Sequence, residues 1–217
     1  MTGKTIEISY EDKSLRICNQ RCREWAYPYA YKGDGEDLHA AGCGIFSLAH
    51  AVEWMTGARI DVEEAADFSV HFGGRGDDGT DRPALLAALK EQGRAAQLGF
   101  DYRMDGHLND HEALWRHLSG GRGVALSNIR AGHIVLLCKG RVQGGERQAL
   151  VVDSFCESAD ARVMDRVREV VPGSEIEFEV CNRVGLAVGA ATGYAMYWVP
   201  VQMAADFNLL YHVGNGD

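Results

Sequence analysis

After residue 122 the chain is cut into short apolar runs: "GVALSN", "HIVLLCK", "QALVVDSF", "EIEFEVCNRV" and "GYAMYWVPVQ". Each has the length and the β-branched and aromatic content of one strand, and turn residues separate them. The Gly-Gly of "GRVQGGERQ", between the second run and the third, is a hairpin signal. Before residue 122 the spacing is helical. From Cys43, the residues Ile45, Leu48, Ala49, Val52 and Met55 recur at intervals of three and four, with Gly57 as a C-cap. Asp61 followed by Glu64 makes a capping box. Thr80 or Asp81 opens "RPALLAALKEQG", with Pro83 in the first turn and Gly93 as the stop. Asn109 or Asp110 opens "HEALWRHL". The stretch "TIEISY" (5–10) reads as an edge strand, 18–38 as a loop, "AAQLGF" (95–100) as a strand and 158–170 as a helix. Helices first and antiparallel strands afterwards predict an α+β fold. A helical lobe over about 40–120 faces a β lobe over about 122–203, in one domain spanning 1–217, with an unassigned extension after 154.

A chain of 217 residues is long enough to bury a core without metals or disulfides. Lys and Arg number 22 against 31 Asp and Glu, a net charge of -9. That acidity repels phosphate backbones and argues against nucleic acid as a partner. The apolar runs fall short of the ~20 residues a membrane helix needs, so no membrane partner is expected. "MTGKTIEISYEDK" has no signal-peptide core, which predicts a cytoplasmic protein, although a secreted chain whose signal had been removed would read the same. The six cysteines, 18, 22, 43, 138, 156 and 181, are scattered. Cys18 and Cys22 form one close pair, with no second pair to complete a zinc site, and free thiols are the expectation in a reducing compartment.

Three tempting motifs fail. "GRGDDG" (74–79) matches G-x-G-x-x-G, yet it follows a helical pattern and sets Asp77 and Asp78 where a pyrophosphate would sit, so a turn is the better reading. The same aspartates lack the spaced ligand series of a calcium loop. His107, His111 and His117 miss the zinc-protease spacing and read as a solvated helix face.

The constellation that survives starts at "HAAGCGIFSLAHAVEWMTG". It places Cys43 at a helix start, where unpaired N–H groups and the helix dipole favour a thiolate. Gly42 and Gly44 leave room for a substrate carbonyl. His50 is on the same helix about 10 Å along, too far to serve as base. His133, at the start of "HIVLLCK", is the better base. Asp153 ends "ALVVD", and a hairpin between these two runs sets it beside His133, where it can orient the imidazole.

Taken together, "GCGIFSLAHAVEWMTG", "GHIVLLCKG" and "ALVVDSF", with "MTGARIDVEEAADF" and "GGRGDDGT" between the first two, resemble the papain-like cysteine peptidases. The likeness is to the bacteriocin-leader-processing (double-glycine peptidase) type, and within it to bacterial stand-alone relatives that lack a transporter. It covers about residues 20 to 155, together with the final strand. The resemblance implies a papain-like fold and a triad on Cys43, His133 and Asp153. It also implies that Gln20, in "CNQRCREW", donates to the oxyanion with the Cys43 backbone N–H beside it. The chain departs from the family pattern at Ile45 and Phe46, where small residues or proline are usual, and in the 64 residues after Asp153 (217 minus 153).

The resulting expectation is a hydrolase that cleaves an amide bond of a peptide or protein through an acyl-enzyme on Cys43, with no cofactor. Transglutaminase- or amidase-like acyl transfer with the same triad is the nearest alternative, and a non-catalytic binding module of the same fold is the next. Oligomeric state is left open.

Overall fold

The computed structural model describes residues 3–99, 101–103, 110–121, 123–130, 132–155, 165–181, 187–203 and 206–212. Thr5–Tyr10 (β1) and Lys13–Cys18 (β2) form an antiparallel hairpin from Thr5↔Cys18 to Tyr10↔Lys13. A loop with one 3-10 turn, Arg23–Trp25, leads to the short helix Leu38–Ala41 (α1) and the central helix Cys43–Thr56 (α2). Val62–His71 (α3) follows, capped by Asp61, whose carboxylate accepts from the Glu63 and Glu64 N–H groups. The "GRGDDGT" turn is a tight two-stranded hairpin, Arg75–Gly76 (β3) and Gly79–Thr80 (β4), with Asp77 and Asp78 exposed at its tip. Asp81 caps Arg82–Glu91 (α4), with Pro83 in the first turn.

Two expectations fail here. Residues 94–97 are a short helix, Arg94–Gln97 (α5), and not the start of a strand. Gly93, at φ 68°, turns the chain out of α4, and the alanines that follow favour another helical turn. The segment read as helix over 158–170 lies outside the described residues up to 164, and its end is the strand Glu169–Val170 (β9).

Asp101–Arg103 (β5), His111–Ser119 (α6, capped by Asp110), Ala125–Arg130 (β6), His133–Gln143 (β7) and Glu146–Val152 (β8) come next. Gly144 and Gly145 join β7 to β8 at φ 58° and 81°, the two positive values that a tight hairpin turn demands. Glu175–Cys181 (β10) and Ala187–Tyr194 (β11) make a separate ribbon. Met196–Pro200 (β12) and Asp206–His212 (β13) return to the main sheet.

That sheet has seven strands in the order β5-β13-β6-β7-β8-β12-β9, and every pairing is antiparallel. The fold class is therefore α+β. Alternate residues of the central strands serve two cores. Ile134, Leu136, Leu150, Val152, Met196 and Trp198 pack in the core that holds α2. Val135, Leu137, Ala149, Val151, Tyr197 and Val199 pack with Leu114 and Leu118 of α6. Burial on both faces explains why these runs are apolar throughout and do not alternate.

The helix α2 is also buried all round, from Cys43 to Trp54, rather than on one face. Its polar residues Ser47, His50 and Glu53 recur every third position, and each is hydrogen-bonded to a strand packed against the helix. The Ser47 hydroxyl donates to the Ile134 carbonyl of β7 at 3.1 Å. His50 Nε2 and Glu53 Oε1 accept the Cys18 and Arg16 N–H groups of β2, both at 2.9 Å. The open edge of β2 would otherwise bury unpaired donors, and α2 satisfies them with side chains. This docking also fixes where the chain goes after Cys18, and so where Gln20 sits.

Candidate active site

Cys43, His133 and Asp153 come together although three separate elements carry them. Cys43 is the first residue of α2. It is 8% exposed and hydrogen-bonded to His133 through its side chain. His133 opens β7 and bonds Asp153 Oδ1 through Nε2 at 2.8 Å, which leaves Nδ1 for the thiol. Asp153 directly follows β8 and is fully buried. Its Oδ1 also accepts the Phe155 N–H at 2.9 Å, and its Oδ2 accepts the Tyr197 hydroxyl at 2.8 Å.

Hairpin register alone does not produce this meeting. From the turn outward the pairs are Gln143↔Glu146 through Lys139↔Leu150. The register then slips by one residue at Cys138, giving Leu137↔Val151 and Leu136↔Val152. Continued without the slip, His133 and Asp153 would point to opposite faces. Carried on past Leu136↔Val152, the slipped register sets His133 across from position 155 and on the face of Asp153, two residues back. The His133 and Phe155 rings are 5.6 Å apart. The bulge thus favours the meeting of the two side chains.

The charges support one another. Burial pushes the Cys43 thiol up, but the hydrogen bond and charge of His133, with the Ile134 and Gly44 N–H groups, more than offset this and hold it below the ordinary thiol value. For His133, burial favours the neutral ring, and the Asp153 charge and the bonds to Asp153 and Cys43 override it, raising the imidazole to about 10. Burial likewise raises Asp153, while the His133 charge and the bonds from His133, Tyr197 and Phe155 bring it below its usual range. The arrangement favours a thiolate beside an imidazolium, steadied by a carboxylate.

Gln20 is buried at the edge of the site. Its N–H donates to the Ser154 carbonyl at 2.8 Å, and its Oε1 accepts the Ser154 hydroxyl at 3.1 Å. Its Nε2 donates to the His39 carbonyl of α1 at 3.2 Å. Both ends of the amide are thus fixed, one to the residue after Asp153 and the other to the turn before Cys43. Next to it, the Arg21 guanidinium lies 4.0 Å over Phe155 and 4.2 Å over Phe178 of β10, and its Nε donates to the Phe155 carbonyl. Arg21 thereby bridges the ribbon β10–β11 and the aromatic ring beside His133.

Several expectations are corrected. Gly42 and Gly44 face the protein and not a substrate. A Cβ on Gly42 would lie 2.4 Å from the Leu38 carbonyl oxygen, and one on Gly44 would lie 2.4 Å from Thr80 Cβ. They permit α1 and β4 to close on the helix start. His133, at the start of its apolar strand, is 2% exposed. His117 is no solvated helix residue: it is buried and bonded to the Val124 carbonyl at 3.2 Å. His111 is half-buried, and His107 lies outside the described residues. His50 is spent on β2, as above. Cys18 and Cys22 are buried free thiols, and no cluster of three or more His, Cys, Asp or Glu that could hold a metal occurs among the described residues. No helix among them is long and apolar enough to cross a membrane.

Sequence reasoning missed Ser47, Phe155 and Tyr197. The polar stripe at 47, 50 and 53 was a usable signal for the first. An aromatic residue within an apolar strand gave none for Tyr197. A cavity of about 250 Å³ between α2, α3, α4 and α5, lined by Leu48, Ile60, Phe68, Leu85, Leu89 and Leu98 among others, includes none of the site residues. No family model matches the chain, and no curated protein or solved structure matches it either.

Proposed function

We propose that the protein is a papain-like cysteine peptidase that hydrolyses an amide bond of a peptide or protein through an acyl-enzyme on Cys43. The observation that carries this reading is His133 held between a helix-borne thiol and a buried carboxylate. A lone buried thiol is inert, whereas a thiol that is hydrogen-bonded to an oriented base is an activated nucleophile. In the proposed reaction the Cys43 thiolate attacks the substrate carbonyl carbon. The oxyanion that forms takes hydrogen bonds from the Cys43 N–H and from Gln20 Nε2, whose nitrogen carries a second hydrogen beside the one given to His39. Collapse breaks the C–N bond, and His133 Nδ1 gives its proton to the departing amine. Water then enters, His133 takes its proton, and the hydroxide displaces Cys43 to release the acid. Asp153 stays ionised throughout and holds the ring. No step needs a cofactor.

Iodoacetamide labelling read by peptide mass tests the proposal. Cys43 is expected to react well ahead of the other five thiols, at a rate that falls at least tenfold in His133→Ala. Uniform slow labelling would refute the enzyme reading and favour a binding module. Product masses with and without an added amine separate hydrolysis from acyl transfer.

A further inference from the structure

We infer that Tyr197 is a positioning residue of this site: its hydroxyl, donating to Asp153 Oδ2, fixes the carboxylate that in turn fixes His133. The inference rests on the peptidase reading and deepens it, because it gives a role to the chain after residue 154.

The geometry is specific. Asp153 and Tyr197 are both 0% exposed, so a lost partner is not replaced cheaply by water. His133 Nε2 and the Phe155 N–H approach one oxygen of Asp153, and Tyr197 approaches the other. A carboxylate oxygen that accepts a hydrogen bond resists rotation about the terminal torsion, and Tyr197 adds such a bond at Oδ2. Tyr197 cannot drift either. Its strand β12 pairs with β8 at Tyr197↔Val151 and with β9 at Tyr197↔Val170, and the Asp153 N–H donates to the Ala195 carbonyl just before β12. A phenol suits the task, since it donates a hydrogen bond at neutral pH without adding a charge. Asp153 faces His133 of β7, with Cys43 beyond it, Tyr197 of β12, and His50 of α2, which feels the Asp153 charge. Burial pushes His50 down to about 3, so it stays neutral over the working range and leaves Asp153 to its other partners.

The test is the pH profile of Cys43 alkylation by iodoacetamide in the full chain. Donation by Tyr197 favours the charged carboxylate, so Tyr197→Phe makes Asp153 easier to protonate. Acid then dissolves the thiolate–imidazolium pair sooner. The low-pH limb is expected to move up by about one pH unit, read as about tenfold slower alkylation below the limb and little change on the plateau. In an Asp153→Asn background, Tyr197→Phe should move it no further. Should Tyr197→Phe fail to fold, 3-fluorotyrosine at 197 keeps the shape and donates more strongly, and it should move the limb down. A limb that stays in place in the folded variants, even with a lowered melting temperature, overturns the inference and leaves Tyr197 as packing alone. Wild-type Cys43 reacting no faster than the other thiols would instead overturn the peptidase reading and this inference with it.

Discussion

A methyl group added beside Cys43 tests whether the helix start is built as described. In Gly44→Ala the new Cβ would lie 2.4 Å from Thr80 Cβ, 2.5 Å from its Oγ1 and 2.8 Å from its Cγ2, against the roughly 3.5 Å that non-bonded carbons need. Thr80 has no easy retreat. It is 8% exposed, its backbone pairs with Arg75 of β3, and its hydroxyl bonds the Tyr29 hydroxyl at 2.8 Å. Overpacking of this kind costs about 1–3 kcal/mol, and losing the Tyr29–Thr80 bond adds about 1 kcal/mol. The better helix propensity of alanine returns at most about 1 kcal/mol. The net expectation is a loss of about 2 kcal/mol, measured by urea unfolding followed through tryptophan fluorescence, with an unchanged denaturant slope. Thr80→Gly removes all three obstructing atoms. In that background Gly44→Ala should be neutral or slightly stabilising, a coupling of about 2–3 kcal/mol between the two positions. A Gly44→Ala protein within about 0.5 kcal/mol of wild type, or a double variant that is simply additive, would refute the packing on which the placement of Cys43 depends.

Two further outcomes follow from neighbouring contacts. Because burial depresses His50 to about 3, the unfolded chain binds one more proton than the folded chain between about pH 6.5 and 3, and stability falls as pH drops through that window. Urea titrations should show wild type losing about 1.4 kcal/mol per pH unit relative to His50→Gln there, and parallel curves would contradict a neutral buried imidazole. Ser47→Ala removes the bond to the Ile134 carbonyl, one turn from Cys43 and one residue from His133. It should cost about 1 kcal/mol of stability and slow Cys43 alkylation, while Ser47→Thr keeps the hydroxyl and restores both; slow alkylation in the threonine variant would show that the bond does not set the spacing.

The local features of the sequence carried much of the fold. Asp61 caps the helix it was read to open, and of the pairs Thr80 or Asp81 and Asn109 or Asp110 the aspartates are the caps, because a cap needs only a short side chain and the next few N–H groups. The Gly144-Gly145 hairpin and the apolar runs around it were equally legible. Features set by distant partners were not. The pattern of α2 suggested one buried face, yet β2, β7 and β4 enclose it from several sides, and only then do Ser47, His50 and Glu53 make sense as buried groups. The reading of 95–100 as a strand gave too much weight to a short apolar run and too little to a glycine that restarts a helix.

The triad itself divides along the same line. Cys43 was legible from its own helix start, and His133 and Asp153 from the hairpin that joins them. What places the last two on one face is a one-residue slip at Cys138 that no local pattern announces, since "HIVLLCK" is apolar at every position from 134 to 138. One of the bonds to Asp153 comes from Tyr197, 44 residues further on, in a strand that pairs with β8 from a distant part of the sequence. The run "GYAMYWVPVQ", read from sequence as a strand, is thus a core strand that lies beyond the unassigned stretch after 154. Truncating the chain after 154 would remove β12, uncover the outer edge of β8 and take the Tyr197 hydroxyl from Asp153 Oδ2. Cys43, His133 and Asp153 all lie within the first 153 positions, but the strand that carries Tyr197 does not.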